Sequence, residues 1–449
     1  MSLLTWVISL YAASPCPADE SSVATGDHYR IVCDFKNDRL ARTALKTAEA
    51  SRLFAVALYG EQEKSDDRQT STIHLYRNTD DYVKADKDIT GGRFRKNLAF
   101  SSHKTQSSYI VLQPPCTDET LSSVGLPILT RYTIAHEATH LACYGAIPNH
   151  RSHPDWLSEG AAMWIAERAL RVGKWTPSAE RDPYESTRMQ RAKDLLTKDR
   201  CPAIRQIIRD ECNDLDINHR YAVYWLFFRF MKTGKYEKAF SKVLAEARRL
   251  GGGEKYAAKL AKFFEKSFGQ EDLDRLNNEF REYVKSTQPR WRETSRALET
   301  RGNTWTQIAF ATNNAYAWRT KRIGRSTFHV TGSVEILPND RRQMNLLLGK
   351  DGGGFISVAF VAGFGVNVFR YDSRKDHWTE LAKAKAPSIG VGTKIPFEVR
   401  VDAADLRVLV RKKTILKAHV GNQDMTGPWG LGAQAGSAGR WRKVRVTKD

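Results

Sequence analysis

Residues 136–140 read His-Glu-Ala-Thr-His, and Glu159 follows at the head of the run Glu-Gly-Ala-Ala. On a helix, side chains at i and i+4 share one face. His136 and His140 therefore offer two imidazoles to a single metal ion, and Glu137 stands beside it, placed to take a proton from a bound water. A third protein ligand must come from elsewhere, and Glu159 is well placed to supply it. This is the pattern of a metal-dependent hydrolase with Zn²⁺ as the expected ion. The same residues also suit a buried helix whose histidines are simply hydrogen-bonded; the third carboxylate weighs against that.

Two helices must position these groups. Pro127 suits a first helical position, and Ile128, Leu129, Tyr132, Ile134, Ala135, Leu141 and Ala142 supply apolar positions through Cys143. A second helix is expected over 156–168, with Glu159 in its first turn; the loop 149–154 would fold it back on the first. His150 and His153 lie in that loop and read as loop or cleft-rim residues, since ligands favour rigid elements. A metzincin continuation needs a Gly and a His where this chain has Cys143 and Ala146, so that pattern is excluded.

With Trp156-Leu157-Ser158-Glu159-Gly160-Ala161-Ala162 following it, the His-Glu-Ala-Thr-His motif resembles the gluzincin branch of the zinc metallopeptidases, and most of all the bacterial peptidase MA-like families. Ile73–Arg77 with Asp80-Asp81-Tyr82 resembles the strand and Asp-Tyr turn of that group. Tyr109–Gln113 resembles the strand before its active-site helix, and Tyr221–Met231 a later aromatic helix. The resemblance covers roughly residues 27–290. It implies an α+β zincin-like catalytic domain, Zn²⁺ held by His136, His140 and Glu159, Glu137 as general base, and a Tyr or His oxyanion donor some way after the third ligand. His219, Tyr221 and Tyr224 fall in that window. Tyr221 is slightly favoured, although each can equally pack beside Trp225 and Phe228. One departure is Met163, where thermolysin-like gluzincins have an Asp that supports a ligand.

At 449 residues the chain is too long for one ordinary core, so two or three domains are expected. The apolar run Leu3–Ala13 is too short to span a bilayer and reads as a signal-peptide core with cleavage after residue 18. That implies a secreted, periplasmic or envelope-associated protein. All six cysteines lie within the first 212 residues; Cys201 and Cys212 are close enough to pair, and Cys143 reads as a small buried hydrophobe. The net charge of +20 is uneven: residues 301–449 hold 25 Lys and Arg against 11 Asp and Glu. Such a surplus points to an acidic partner such as a polyanionic glycan, an envelope polymer, a membrane surface or nucleic acid, or to a merely solvated basic face.

The expected organisation is a multidomain chain: a metallopeptidase domain over 27–288, mostly helical in its second half, a linker over 289–304, and an all-β jelly roll or sandwich over 305–449. In the first part a helix is expected over 41–58 and strands over 72–76 and 108–112; Tyr109–Gln113 is the candidate edge for an added substrate strand, or equally a plain core strand. Helical spacing continues from Tyr221 to Val284. Beyond it the period becomes two, giving nine or so strands. The ending Trp429-Gly430-Leu431-Gly432 … Arg440–Val446 resembles concanavalin-A-like or laminin-G-like modules, which implies a binding or accessory role rather than catalysis, or a purely structural one.

Three functions follow as expectations. The first is a zinc metalloendopeptidase acting on peptides or proteins. The second is a non-catalytic zincin scaffold that binds polyanionic glycan or envelope polymer through the basic β-sandwich. The third is a zinc amidase acting on cell-wall peptides, which uses the same metal chemistry.

Overall fold

The computed structural model describes residues 21–448 apart from 60–69, 103, 114–120, 123–124, 147–152, 171–184, 251–254, 288–290, 294–297, 302–303, 309–314, 325, 340, 352, 422 and 436. The signal-like segment, Cys16, Cys116 and His150 lie outside these residues.

The chain opens with β1 (Ser22–Thr25), β2 (Tyr29–Cys33), α1 (Asp38–Tyr59), β3 (Ser71–Tyr76), α2 (Thr79–Thr90), β4 (Ala99–Ser102) and β5 (Ser107–Val111). The strands form one sheet in the order β1-β2-β3-β5-β4. β2, β3 and β5 run parallel, and β4 pairs antiparallel with β5. Each parallel step crosses over through a helix, as such connections require. Alternation along the strands splits the sheet into two faces. Ile31, Ile73, Leu75 and Ile110 pack under α1, and Phe100, Tyr109 and Val111 pack with Tyr82 of α2.

Eight helices follow among the described residues: α3 (Ile128–Ala146), α4 (Asp155–Ala169), α5 (Glu185–Thr197), α6 (Ile204–Ile208), α7 (Ile217–Thr233), α8 (Glu237–Leu250), α9 (Tyr256–Phe268) and α10 (Gln270–Ser286). α7 is the hub: Ala222 through Phe228, Phe230 and Met231 are all buried, the pattern of a helix surrounded by others. Trp156, Trp225, Phe227, Phe228, Phe240 and Phe264 form the centre of this helical core.

The rest is two seven-stranded antiparallel sheets among the described residues. The first runs β17 (Lys413–His419), β16 (Asp405–Val410), β15 (Lys394–Asp402), β10 (Thr327–Leu337), β19 (Ala438–Lys448), β8 (Thr304–Ile308) and β7 (Leu298–Arg301). The second runs β14 (His377–Lys385), β13 (Gly365–Asp372), β12 (Gly354–Val361), β11 (Gln343–Asp351), β18 (Pro428–Ala433), β9 (Ala315–Arg322) and β6 (Trp291–Glu293). They share one core, with Val330, Val399, Val408 and Trp441 from the first against Leu346, Val358, Phe360 and Leu431 from the second. The whole is an α+β part, mostly helical in its second half, followed by a β-sandwich.

Four sequence expectations need correction. The stretch 289–304, read as a linker, carries β6 and β7, which belong to the two sheets. Asp80-Asp81-Tyr82, read as a turn, lie in the first turn of α2, whose start Asn78 caps by accepting from the Asp81 amide. Tyr109–Gln113 is not an edge: β5 lies between β3 and β4, and β4 is the outer strand among the described residues. Cys201 and Cys212 are free thiols, as are Cys33 and Cys143, and all four are buried. Among the described residues no helix is long and apolar enough to cross a membrane.

Candidate metal centre

α3 is buried on nearly every side; Leu129, Tyr132, Ala135, Ala138 and Leu141 are all below 3% exposed. A charged or polar group on such a helix must find partners, because burying it bare is costly. His136, Glu137 and His140 find theirs on different elements. α4 brings Glu159 across, so that Glu159 Oε2 lies 3.2 Å from His136 Nε2 and Oε1 lies 3.5 Å from His140 Nε2. The two imidazoles meet edge to face with their Nε2 atoms 3.1 Å apart. Their ligand atoms and a carboxylate oxygen of Glu159 all lie within 4.8 Å of one another, a group that can hold a metal ion.

Why α4 lies there is a matter of packing. Gly160, next to Glu159, sits so close to α7 that a Cβ would come within 3.1 Å of the Tyr224 carbonyl oxygen and 3.2 Å of Phe228. Trp156 is fully buried one turn earlier and donates to the Ile208 carbonyl at 3.3 Å. Glu159 itself falls in the second turn of α4, since the helix starts at Asp155.

The electrostatics are those of a proton or a cation trapped between three ligands. Burial alone would lower the pKa of His140, but the Glu159 charge and hydrogen bond, with the Glu137 charge, raise it to about 9. Burial would likewise raise Glu159, yet the two imidazoles hold its carboxyl well below the usual range. Glu159 Oε2 is buried, and His136 Nε2, 3.2 Å away, does not reach it with hydrogen-bond geometry. An orphaned carboxylate oxygen facing two imidazole nitrogens is what a cation would complete.

Glu137 is 8% exposed and points to the sheet. Ser101 Oγ of β4 donates to its Oε2 at 2.5 Å, and Ser108 Oγ of β5 lies 2.6 Å from Ser101 Oγ. The two serines are register partners, so both face α3. Of the three residues expected near the oxyanion, only Tyr221 faces the centre. Burial pushes its hydroxyl well above the usual phenol range, and Glu159, Asp155, Glu137 and a hydrogen bond to Glu159 add to the effect. Tyr224 instead donates to Asp210 at 3.2 Å, and His219 pairs with Asp216 at the start of α7. His153 lies in the loop before α4, as expected, but not on a rim: it is 6% exposed and stacks on Tyr256 at 4.7 Å.

Sequence reasoning missed three residues here. Ser101 and Ser108 carry no motif, and only strand pairing brings them to Glu137. Asp155 was findable, since it stands one helical turn before Glu159. Its carboxyl is pushed up to about 6 by burial, then by Asp210 and Glu159.

No protein-family model matches this chain, and no curated protein matches it. Among solved structures, a carbohydrate-binding module, CBM66 from Bacillus subtilis, is 15% identical, covers 35% of this chain and 96% of its own, and has a TM-score of 0.32. Sheep galectin-11 is 14% identical over 30% of this chain and 98% of its own, with a TM-score of 0.24. The exoplasmic/lumenal domain of VIP36, in a Ca²⁺- and mannose-bound form, is 14% identical over 36% of this chain and 85% of its own, with a TM-score of 0.30.

Proposed function

We propose that this protein is a zinc-dependent hydrolase of the gluzincin pattern, acting on peptide bonds. The observation that carries the reading is the convergence of His136, His140 and Glu159, with Glu159 Oε2 buried and unbonded. Two imidazoles and one carboxylate are a donor set that suits zinc and leaves room for water. When bound there, zinc supplies an acidified water and a polarised carbonyl.

The remaining steps fall to the chain. Glu137, restrained by Ser101, accepts the proton of the attacking water and passes it to the leaving amine. Tyr221, kept protonated by burial and by the surrounding carboxylates, donates to the oxyanion that develops at the carbonyl. Among the described residues β4 is the outer strand, and its free side suits an extended polypeptide, whose backbone pairs as an added strand within reach of Glu137. This favours a peptide over other amides.

The test is metal content followed by cleavage. About one zinc per chain is expected in wild type, lost or weakened in Glu159→Ala. Glu137→Gln is expected to keep the metal and lose all hydrolysis of an unstructured protein substrate. Near-wild-type cleavage by Glu137→Gln overturns the mechanism. Full metal with no cleavage by the wild type leaves the second reading, a metal-stabilised scaffold whose basic β-sandwich binds an acidic polymer.

A further inference from the structure

The β16–β17 hairpin ends the first sheet of the sandwich, and it carries charge that the fold does not need. Leu406, Val408 and Val410 of β16 enter the core, so Arg407 between them faces outward. The register sets Arg407 directly opposite Lys417 on β17 and directly opposite Arg400 on β15. All three are exposed. Like charges directly opposite across strands destabilise a sheet. Glu398 relieves Arg400 at 2.7 Å, but among the described residues no ion pair is formed by Arg407 or Lys417.

The tip of the hairpin repeats the pattern with strain. Val410 pairs with Lys413, leaving Arg411 and Lys412 as a two-residue loop with φ of 50° and 67°. Such a turn prefers Asn-Gly, because L side chains rarely adopt positive φ. Here it holds two exposed cations, with exposed Lys413 beside them. Among the described residues the tip is fastened by its backbone, through the Arg411 amide to the Pro396 carbonyl at 3.0 Å. Lysines on an outer strand deter pairing with another chain, which accounts for Lys413 and Lys417. It does not account for Arg400 and Arg407 on inner strands, or for cations held at positive φ. Strained residues persist where something other than stability holds them.

We propose that this hairpin and the neighbouring face of β15 bind an acidic polysaccharide. Arg400, Arg407 and Lys417 recur at the strand spacing of about 4.8 Å, on the order of one sugar residue along an extended chain. A single-stranded nucleic acid would want rings on which its bases stack. Phe397 is the lone Phe, Tyr or Trp on β15, β16 and β17, and it is buried in the core. The site stands whether or not the metal centre is hydrolytic.

The test measures binding of the full chain to polygalacturonate, to heparin and to a single-stranded oligonucleotide at several salt concentrations. The variants are Arg411→Asn/Lys412→Gly, which installs the preferred turn, and Arg407→Gln/Lys417→Gln, which removes opposed charges. Each is expected to raise the Tm or leave it unchanged, to weaken polysaccharide binding about tenfold, and to make its salt dependence shallower. Preference for polygalacturonate or heparin assigns carboxylate or sulfate recognition. Undetectable polysaccharide binding by wild type, unchanged affinity in both variants, or tighter binding of the oligonucleotide overturns the proposal. So does a lower Tm in both variants, which would make the charges part of the hairpin's own stability.

Discussion

Glu137 illustrates how much a single carboxylate depends on its neighbours. It is buried on a helix that offers it no partner, and the hydroxyls of Ser101 and Ser108 supply one. A carboxylate left without that donor can rotate or draw in water, and a base that is out of line transfers protons poorly. Ser101→Ala is therefore expected to lower kcat/KM for peptide cleavage about tenfold, with the metal content of wild type. Ser108→Ala, one bond further away, should lose less. Wild-type kinetics in Ser101→Ala would reduce the serine pair to packing. Neither serine was legible beforehand, because nothing in the types or spacing of Ser101 and Ser108 relates them to Glu137. By contrast, His136, Glu137 and His140 were legible, because one helical turn fixes their relation without help from the rest of the chain.

At the scale of elements, the centre is a contact between α3 and α4, held from behind by α7. Gly160 is the point of closest approach, and the Tyr224 carbonyl that a larger side chain would meet belongs to a helix backbone that cannot easily give way. Gly160→Val is expected to cost about 2 kcal/mol by overpacking, even after the glycine's poor helix propensity is set aside. Because Glu159 is the adjacent residue, the same change should weaken metal binding. Urea unfolding and a metal titration on one preparation would check both. A stable variant with loosened metal would show that the α4–α7 contact serves alignment alone. An unchanged metal affinity would show that α4 is positioned by Trp156 without Gly160.

For the whole molecule, two histidines far from one another make the same prediction about pH. His74 in the sheet stacks on Tyr109 at 4.8 Å, and its pKa is lowered to about 4 by burial and then by Arg30. His153 in the helical core is lowered to about 4 by burial. Both folded values lie below the ordinary value of 6.5. The unfolded chain therefore takes up protons first as the pH falls. The stability that each neutral imidazole represents is complete above pH 6.5 and drains away as the pH drops toward 4. Asp34, pushed up to about 6 chiefly by burial, works in the opposite direction, so the histidine contribution must be isolated by difference. His153→Phe keeps a ring against Tyr256 and removes the titration. The Tm advantage of wild type over this variant should shrink steadily between pH 6.5 and 4, and a constant gap would mean that His153 is already protonated when folded.

Local pattern alone determined the helix carrying His136, Glu137 and His140, the helix carrying Glu159, the long helical run to Val284, and the change to period-two strands beyond it. Each is set by neighbours within a turn or a strand, where side-chain direction follows directly from spacing. The uneven charge was equally plain in composition. Tertiary structure alone decided the rest. It put β4 outside β5, assigned β6 and β7 to the sandwich, left Cys201 and Cys212 unpaired, and chose Tyr221 over Tyr224 and His219 to face the centre. It also gathered exposed cations on the β16–β17 hairpin into an opposed row and a strained tip. These outcomes depend on strand register and on which helix packs behind which. Long-range contacts set both, except within the β16–β17 hairpin, whose two-residue turn fixes its own register.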